Sequence, residues 1–232
     1  MIHMTNFTRI FFSLPLLLLA CLTNAQELSH IQFSGGATVS SLSFTTDQQI
    51  IIKISEDGKV LEWGTEMEPF RYNYQPGKLL PYMGRVAYYG SEADSISKGK
   101  VKMIGTTLLS YYSASETNAK AGKLKSIGST SLDYYSNYEN AALTGKLKFA
   151  GNTLFNYYSS FENEAFRGKL KSAGKTTIAY YSTFDDKLIK GKVKSIDGTM
   201  YAWYASYETR YSGGLKSGHL SRKINGVTYI IM

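Results

Sequence analysis

The stretch "GKLKSIGSTSLDYYSNYEN", Gly122 to Asn140, returns 23 residues later as "GKLKFAGNTLFNYYSSFEN", Gly145 to Asn163. Its aromatic pair recurs at Tyr88-Tyr89, Tyr111-Tyr112, Tyr134-Tyr135, Tyr157-Tyr158 and Tyr180-Tyr181, and Trp203-Tyr204 continues the series at the same interval. Gly-Lys-Leu/Val-Lys follows the same period from Gly99, Gly122, Gly145, Gly168 and Gly191, with degenerate forms at Gly77 and Gly213. A fixed period of this length marks a repeat architecture, in which each unit buries its apolar face against its neighbours.

Each unit reads as a β-hairpin. Lys123 to Ile127 is short and extended, and Ser131 to Tyr138 is rich in aromatic and β-forming residues. Between them stands Gly128-Ser129, with Gly105-Thr106, Gly151-Asn152 and Gly174-Lys175 as counterparts. Gly first in a two-residue loop signals a type II′ turn, and Asp197-Gly198 at the same place in the last unit signals type I′. Each connection to the next hairpin opens with an acid (Glu116, Glu139, Glu162, Asp185, Glu208) and ends on Gly. That suits a single helical turn or a plain wide loop.

The expected fold is all-β: an elongated antiparallel meander of 23-residue hairpins, with a β-solenoid as the alternative. Electrostatics favours the meander. In a solenoid equivalent lysines stack about 4.8 Å apart. Each pair then repels by about 0.9 kcal/mol even in bulk water. In a meander a second strand separates them, and the doubled spacing approaches a Debye length of about 10 Å.

The second strand carries a period-2 apolar stripe: Leu132, the first Tyr, a small residue, and then Tyr138, Phe161, Phe184 or Tyr207. This face is expected to pack, with the second Tyr facing the other way. A two-residue loop sets Lys125 across from Leu132 and Lys123 across from Tyr134, on the apolar face. Two arrangements reconcile that with burial: lysine stems lying over the rings, or one bulged residue that reverses the face of the first strand.

The repeats occupy 77–213. Residues 26–76 and 214–232 read as capping hairpins at the two ends, around Asp57-Gly58 and Asn225-Gly226, both type I′ signals. The 23-residue hairpin period resembles that of MORN repeats, and tandem aromatic hairpins resemble choline- or glucan-binding cell-wall repeats. This chain departs from both, with Tyr-Tyr-Ser-x-Phe in place of Tyr-x-Gly-x-Trp and with no unit led by Gly-Trp. No binding residue is carried over from either.

Residues 1–25 have the layout of a secretory signal peptide: Arg9, the apolar run Ile10 to Ala20, then Thr23 and Ala25 before a cut. Cleavage after Ala25 leaves a chain without cysteine. The alternative reads "LLAC" as a lipoprotein signal, with Cys21 lipidated. No Asn-x-Ser/Thr acceptor follows residue 25. A secreted, periplasmic or cell-surface protein of the bacterial envelope or exterior is therefore expected. Export removes nucleic acid as the default account of the +8 net charge and leaves anionic glycan, another anionic polymer or a surface protein as partners.

Little in the chain points to catalysis. Only His30 and His219 remain after the leader, no cysteine nucleophile or Cys/His metal cluster is available, and no hydrolase or P-loop motif appears. The carboxylates Glu62, Glu66, Glu68, Asp185 and Asp186 read as solvated loop residues. No cofactor and no catalytic residue is expected. Two periodic sets are candidates for binding. Tyr112, Tyr135, Tyr158, Tyr181 and Tyr204 form a ladder suited to stacking on sugar rings. Lys123, Lys125, Lys146, Lys148, Lys169 and Lys171 form a stripe suited to anions. The expected function is a non-enzymatic binding scaffold. The competing reading is a purely structural spacer or assembly component, whose tyrosines serve packing and whose lysines keep the sheet soluble.

Overall fold

The computed structural model describes residues 27–208 and 213–232. Residues 1–26, with the expected signal peptide and Cys21, and residues 209–212 lie outside them. The described chain is all-β. The N-terminal segment supplies β1 (Glu27–Ser34), β2 (Thr38–Thr45), β3 (Ile51–Ile54), β4 (Val60–Glu66) and β5 (Leu79–Pro81). The repeats supply β6 (Val86–Tyr88), β7 (Val101–Ile104), β8 (Thr107–Tyr111), β9 (Leu124–Ile127), β10 (Thr130–Tyr134) and β11 (Leu147–Ala150). They continue through β12 (Thr153–Tyr157), β13 (Leu170–Ala173), β14 (Thr176–Tyr180), β15 (Val193–Ile196) and β16 (Thr199–Met200). A short ribbon of β17 (Ala202–Trp203) and β18 (Leu215–Ser217) follows, then β19 (Ser221–Ile224) and β20 (Val227–Ile231).

β6 to β16 form one open 11-stranded sheet in strict chain order. The pairings within and between units are antiparallel, as in Thr130↔Ile127 and Leu132↔Ala150. This is the meander. Ten intervals of about 4.8 Å make it about 48 Å across. The turns follow their residue types: Gly128, Gly151 and Gly174 have φ near +55°, while Asp197-Gly198 and Asn225-Gly226 are left-handed at both positions. Asp57-Gly58 differs from its type I′ expectation. Only Gly58 has positive φ, and its N–H bonds Ser55 C=O, so this loop is a type I turn closed by a left-handed Gly.

A bulge in every unit settles the face of the first strand. Tyr134 opposes Leu147 while Asp133 opposes Phe149, so Lys148 is the extra residue. The same shift isolates Lys102, Lys125, Lys171, Lys194 and Lys216. The second lysine of each Gly-Lys-Leu/Val-Lys is thus the bulged one, which lets Leu124 and Ile127, three residues apart, both point into the core.

The flanking segments do not cap the two ends of a linear stack. β1 pairs with β20 in parallel, and the two segments join in a seven-stranded sheet ordered β19-β20-β1-β2-β3-β4-β5. Ile31, Phe33, Leu42, Phe44, Ile52, Ile54, Tyr229 and Ile231 share one apolar cluster with Leu124, Ile127, Leu132, Tyr134 and their repeats. Physically, both sheets have one apolar face, and stacking the faces buries both. Backbone bonds register them: Leu124 N–H to Gly58 C=O (3.3 Å), Leu147 N–H to Glu56 C=O (2.7 Å) and Val193 N–H to Gly36 C=O (2.7 Å). Coverage fades toward the first unit, where Tyr88 is exposed while its equivalents from Tyr134 onward are buried.

Candidate functional site

The tyrosine pairs are wired into the array. The first ring of a pair turns inward and donates to its own unit's first strand: Tyr134 Oη to Leu124 C=O (2.7 Å), Tyr180 Oη to Leu170 C=O (2.9 Å), and Trp203 Nε1 to Val193 C=O (2.7 Å). The second ring reaches forward. Tyr112, Tyr135, Tyr158 and Tyr181 donate to the carbonyls of Leu132, Phe155, Ile178 and Tyr201, each 20 residues on, at 2.8–2.9 Å. The expectation that the second tyrosine faces away from the first is overturned. The strand ends at the first tyrosine, and the second ring meets the next unit's first ring edge-on, as in Tyr135–Tyr157 at 5.9 Å and 81°. Burial pushes the pKa of both rings upward, most strongly at Tyr157 and Tyr180.

The lysines are committed as well. The first of each motif lies over the first ring of its own unit: Lys123 at 5.1 Å from the Tyr134 centroid, Lys146 at 5.0 Å from Tyr157, and Lys169 at 5.3 Å from Tyr180. Lys123 and Lys169 also donate to the carbonyls of Gly145 and Gly191 in the next unit. Lys146 instead pairs at 2.7 Å with Glu56, which the β3–β4 turn inserts. Burial lowers the pKa of Lys123 and Lys169 and raises that of Glu56. The bulged lysines lie over the second ring of the preceding unit: Lys125 on Tyr112 (5.6 Å), Lys148 on Tyr135 (5.2 Å), Lys171 on Tyr158 (5.1 Å) and Lys216 on Tyr204 (5.4 Å). Lys148, Lys171 and Lys216 further pair with Glu139, Glu162 and Glu208.

Those acids have a second task. Glu139 Oε2 accepts from the Ser136 N–H at 2.7 Å, and Glu162, Asp185 and Glu208 repeat the contact with Ser159, Ser182 and Ala205. This is half of a capping box, and it closes a tight turn, with Glu139 N–H bonding Ser136 C=O at 3.3 Å; a second turn follows, with i→i+4 bonds at Asn163–Arg167 and Asp186–Lys190. Bonds to Lys148 and Ser136 lower the Glu139 pKa. Side chains join successive turns. Asn140 bonds Ser160 N–H and Oγ, Asn163 bonds Thr183 N–H and Oγ1, and Asp186 bonds Ser206 N–H and Oγ, all at 2.6–3.2 Å.

On this rail stand the rings that do not pack. Tyr138, Phe161 and Phe184 are 93–95% exposed and Tyr207 is 79% exposed. The packing stripe was expected to include all four. The capping box explains why it does not: each ring sits two residues past the small residue where the turn begins, so strand alternation has already ended. The Ser-x-x-Glu/Asp pattern was the signal for this in the sequence.

Of the carboxylates flagged in the sequence, Glu62 and Glu66 are also engaged. Lys53 pairs with Glu62 at 2.9 Å and His30 meets Glu66 at 3.2 Å. Among the described residues no group of three or more His, Cys, Asp or Glu side chains could hold a metal ion, and no helix is long and apolar enough to cross a membrane. Comparison with protein-family models, curated proteins and solved structures finds no match to this chain.

Proposed function

We propose that this protein is an exported, non-enzymatic scaffold of the bacterial envelope or exterior that holds an extended, repeating polymer. One observation carries the reading: four exposed aromatic rings at equivalent positions of successive units, on turns that hydrogen bonds tie together. Exposing a large ring is unfavourable unless something covers it, and a regular row of them is more than scatter. Equal spacing on a rigid support lets weak sites add by avidity without ordering costs at each one.

A second reading is favoured by the commitments of the other repeated residues. The candidate tyrosines Tyr112, Tyr135, Tyr158 and Tyr181 join unit to unit, and Lys123, Lys146, Lys148, Lys169 and Lys171 satisfy carbonyls or carboxylates. A purely structural spacer would need no more than this. Retention on immobilised envelope polysaccharide decides between them. The scaffold reading expects retention that falls when Phe161 and Phe184 are both changed to Ala. Equal elution of the folded protein and this variant with the void leaves the spacer.

A further inference from the structure

The nature of the polymer can be narrowed, and this step rests on the binding reading just given. We propose that the row formed by Tyr138, Phe161, Phe184 and Tyr207 binds an uncharged, extended polysaccharide, about two sugar residues per ring.

Spacing is the first argument. Consecutive rings belong to consecutive hairpins, so two inter-strand steps separate them, about 10 Å along the sheet. The turn-to-turn bonds of Asn140, Asn163 and Asp186 hold the turns at that step. Two residues of an extended β-linked pyranose chain span a comparable length. Alternate sugars then present an apolar C–H face to each ring while their hydroxyl edges stay in water.

Surroundings supply the second. Ser, Thr, Asn and carboxylate groups stand between neighbouring rings, so the row is not one contiguous apolar patch. A membrane or a packed protein partner wants such continuity. A sugar chain, apolar on its faces and polar at its edges, does not.

Charge supplies the third. An acid follows each ring directly: Glu139, Glu162, Asp185 and Glu208. Lys148, Lys171 and Lys216 are paired with three of these, and Glu164, Asp186, Arg167, Lys187 and Lys190 on the same turns bring the tally to six acids and six bases. The rail therefore offers a polyanion no net attraction, despite the +8 charge of the whole chain.

The experiment is affinity electrophoresis of residues 26–232 through gels containing hydroxyethylcellulose or mixed-linkage β-glucan as neutral probes. Polygalacturonate serves as the anionic probe, each at low and high salt. Retardation by a neutral glucan, unchanged by salt, is expected. It should weaken by at least about tenfold in the F161A/F184A variant, which removes two of four cooperating contacts. Both side chains are exposed, so the variant should unfold at the wild-type urea midpoint. A control with Lys125→Ala and Lys194→Ala, which leaves Glu139, Glu162 and Glu208 paired, should retain glucan affinity. Retardation by polygalacturonate alone, lost with salt and with the lysine variant, overturns this inference while leaving a polymer-binding scaffold standing. No retardation in any gel overturns both. Glucan binding that F161A/F184A leaves intact places the site elsewhere and overturns the assignment of the row. So does a self-associated wild type that the same variant renders monomeric.

Discussion

A tyrosine pair does four jobs through one dipeptide. The first ring fills the core and returns its hydroxyl to its own unit. The second leaves the strand, packs edge-on against the following ring and donates to the following strand. Tyr157 breaks the pattern: its hydroxyl is buried and finds no hydrogen-bond partner among the described residues. Removing an unsatisfied hydroxyl costs nothing, whereas removing a satisfied one strands a buried carbonyl. Tyr157→Phe should therefore be neutral or slightly stabilising in urea unfolding, and Tyr134→Phe should cost about 1–2 kcal/mol. Equal losses would show that the Tyr157 hydroxyl has a partner in solution. The residue types of the pair were legible as strand formers. Their converging directions were not, because alternation predicts sides only while the strand lasts.

At the scale of the element, the telling features are turns. The β3–β4 turn does more than reverse the chain, since the carbonyls of Glu56 and Gly58 take N–H groups from two successive repeats. Gly58 lies at φ +79°, and a Cβ there would come within 2.0 Å of Tyr134 Oη. Gly226, at φ +87°, has nothing within 4 Å of where a Cβ would lie. Gly226→Ala should then cost only its backbone strain, about 1 kcal/mol. Gly58→Ala adds overpacking of about 1–3 kcal/mol and should separate β3–β4 from the repeats. Thermal unfolding of the two variants compares them directly, and similar midpoints would mean that Tyr134 yields at no cost. The two-residue loops of the repeats were legible from Gly-x and Asp-Gly. The left-handed Gly at position 58 was legible too, but not the turn around it, because type I′ and a type I turn with a bulge both accept Asp-Gly.

Across the whole molecule, the repeats are not interchangeable. The terminal sheet docks at Leu124, Leu147 and Val193, while Leu170 between them makes no equivalent backbone bond to it among those described. Deleting 23 residues, 159–181, keeps the hairpin phase but moves Val193 one unit, about 10 Å, toward Leu147. Gly36 and Glu56 stay fixed in their own sheet, so one anchor must break. The shortened protein should fold with a lower urea midpoint. A deletion of 11 residues, which removes half a hairpin and inverts every later strand, should not fold at all. Near-ultraviolet circular dichroism during unfolding distinguishes these outcomes. An unchanged midpoint for the 23-residue deletion would show that the two sheets slide freely.

What the sequence determined by itself is the unit: its 23-residue length, its two antiparallel strands, its loops and the inward first tyrosine. These follow from local propensity and period, which each residue expresses with its near neighbours alone. The alternatives left open for Lys123 and Lys125 needed tertiary structure. The second lysine is bulged, because the unit must bury Leu124 and Ile127 together, and over the ring lies an ammonium nitrogen, as Lys123 Nζ lies over Tyr134, still bonded to a carbonyl and not released to water. The placement of the flanking segments also came only from the three-dimensional arrangement. An alternating strand records that one face is apolar, not which of several apolar faces will cover it. The same reason hid the exposed row. Tyr138 is as apolar as Tyr134 to a reader of sequence, and only the turn that Glu139 caps lifts it into solvent.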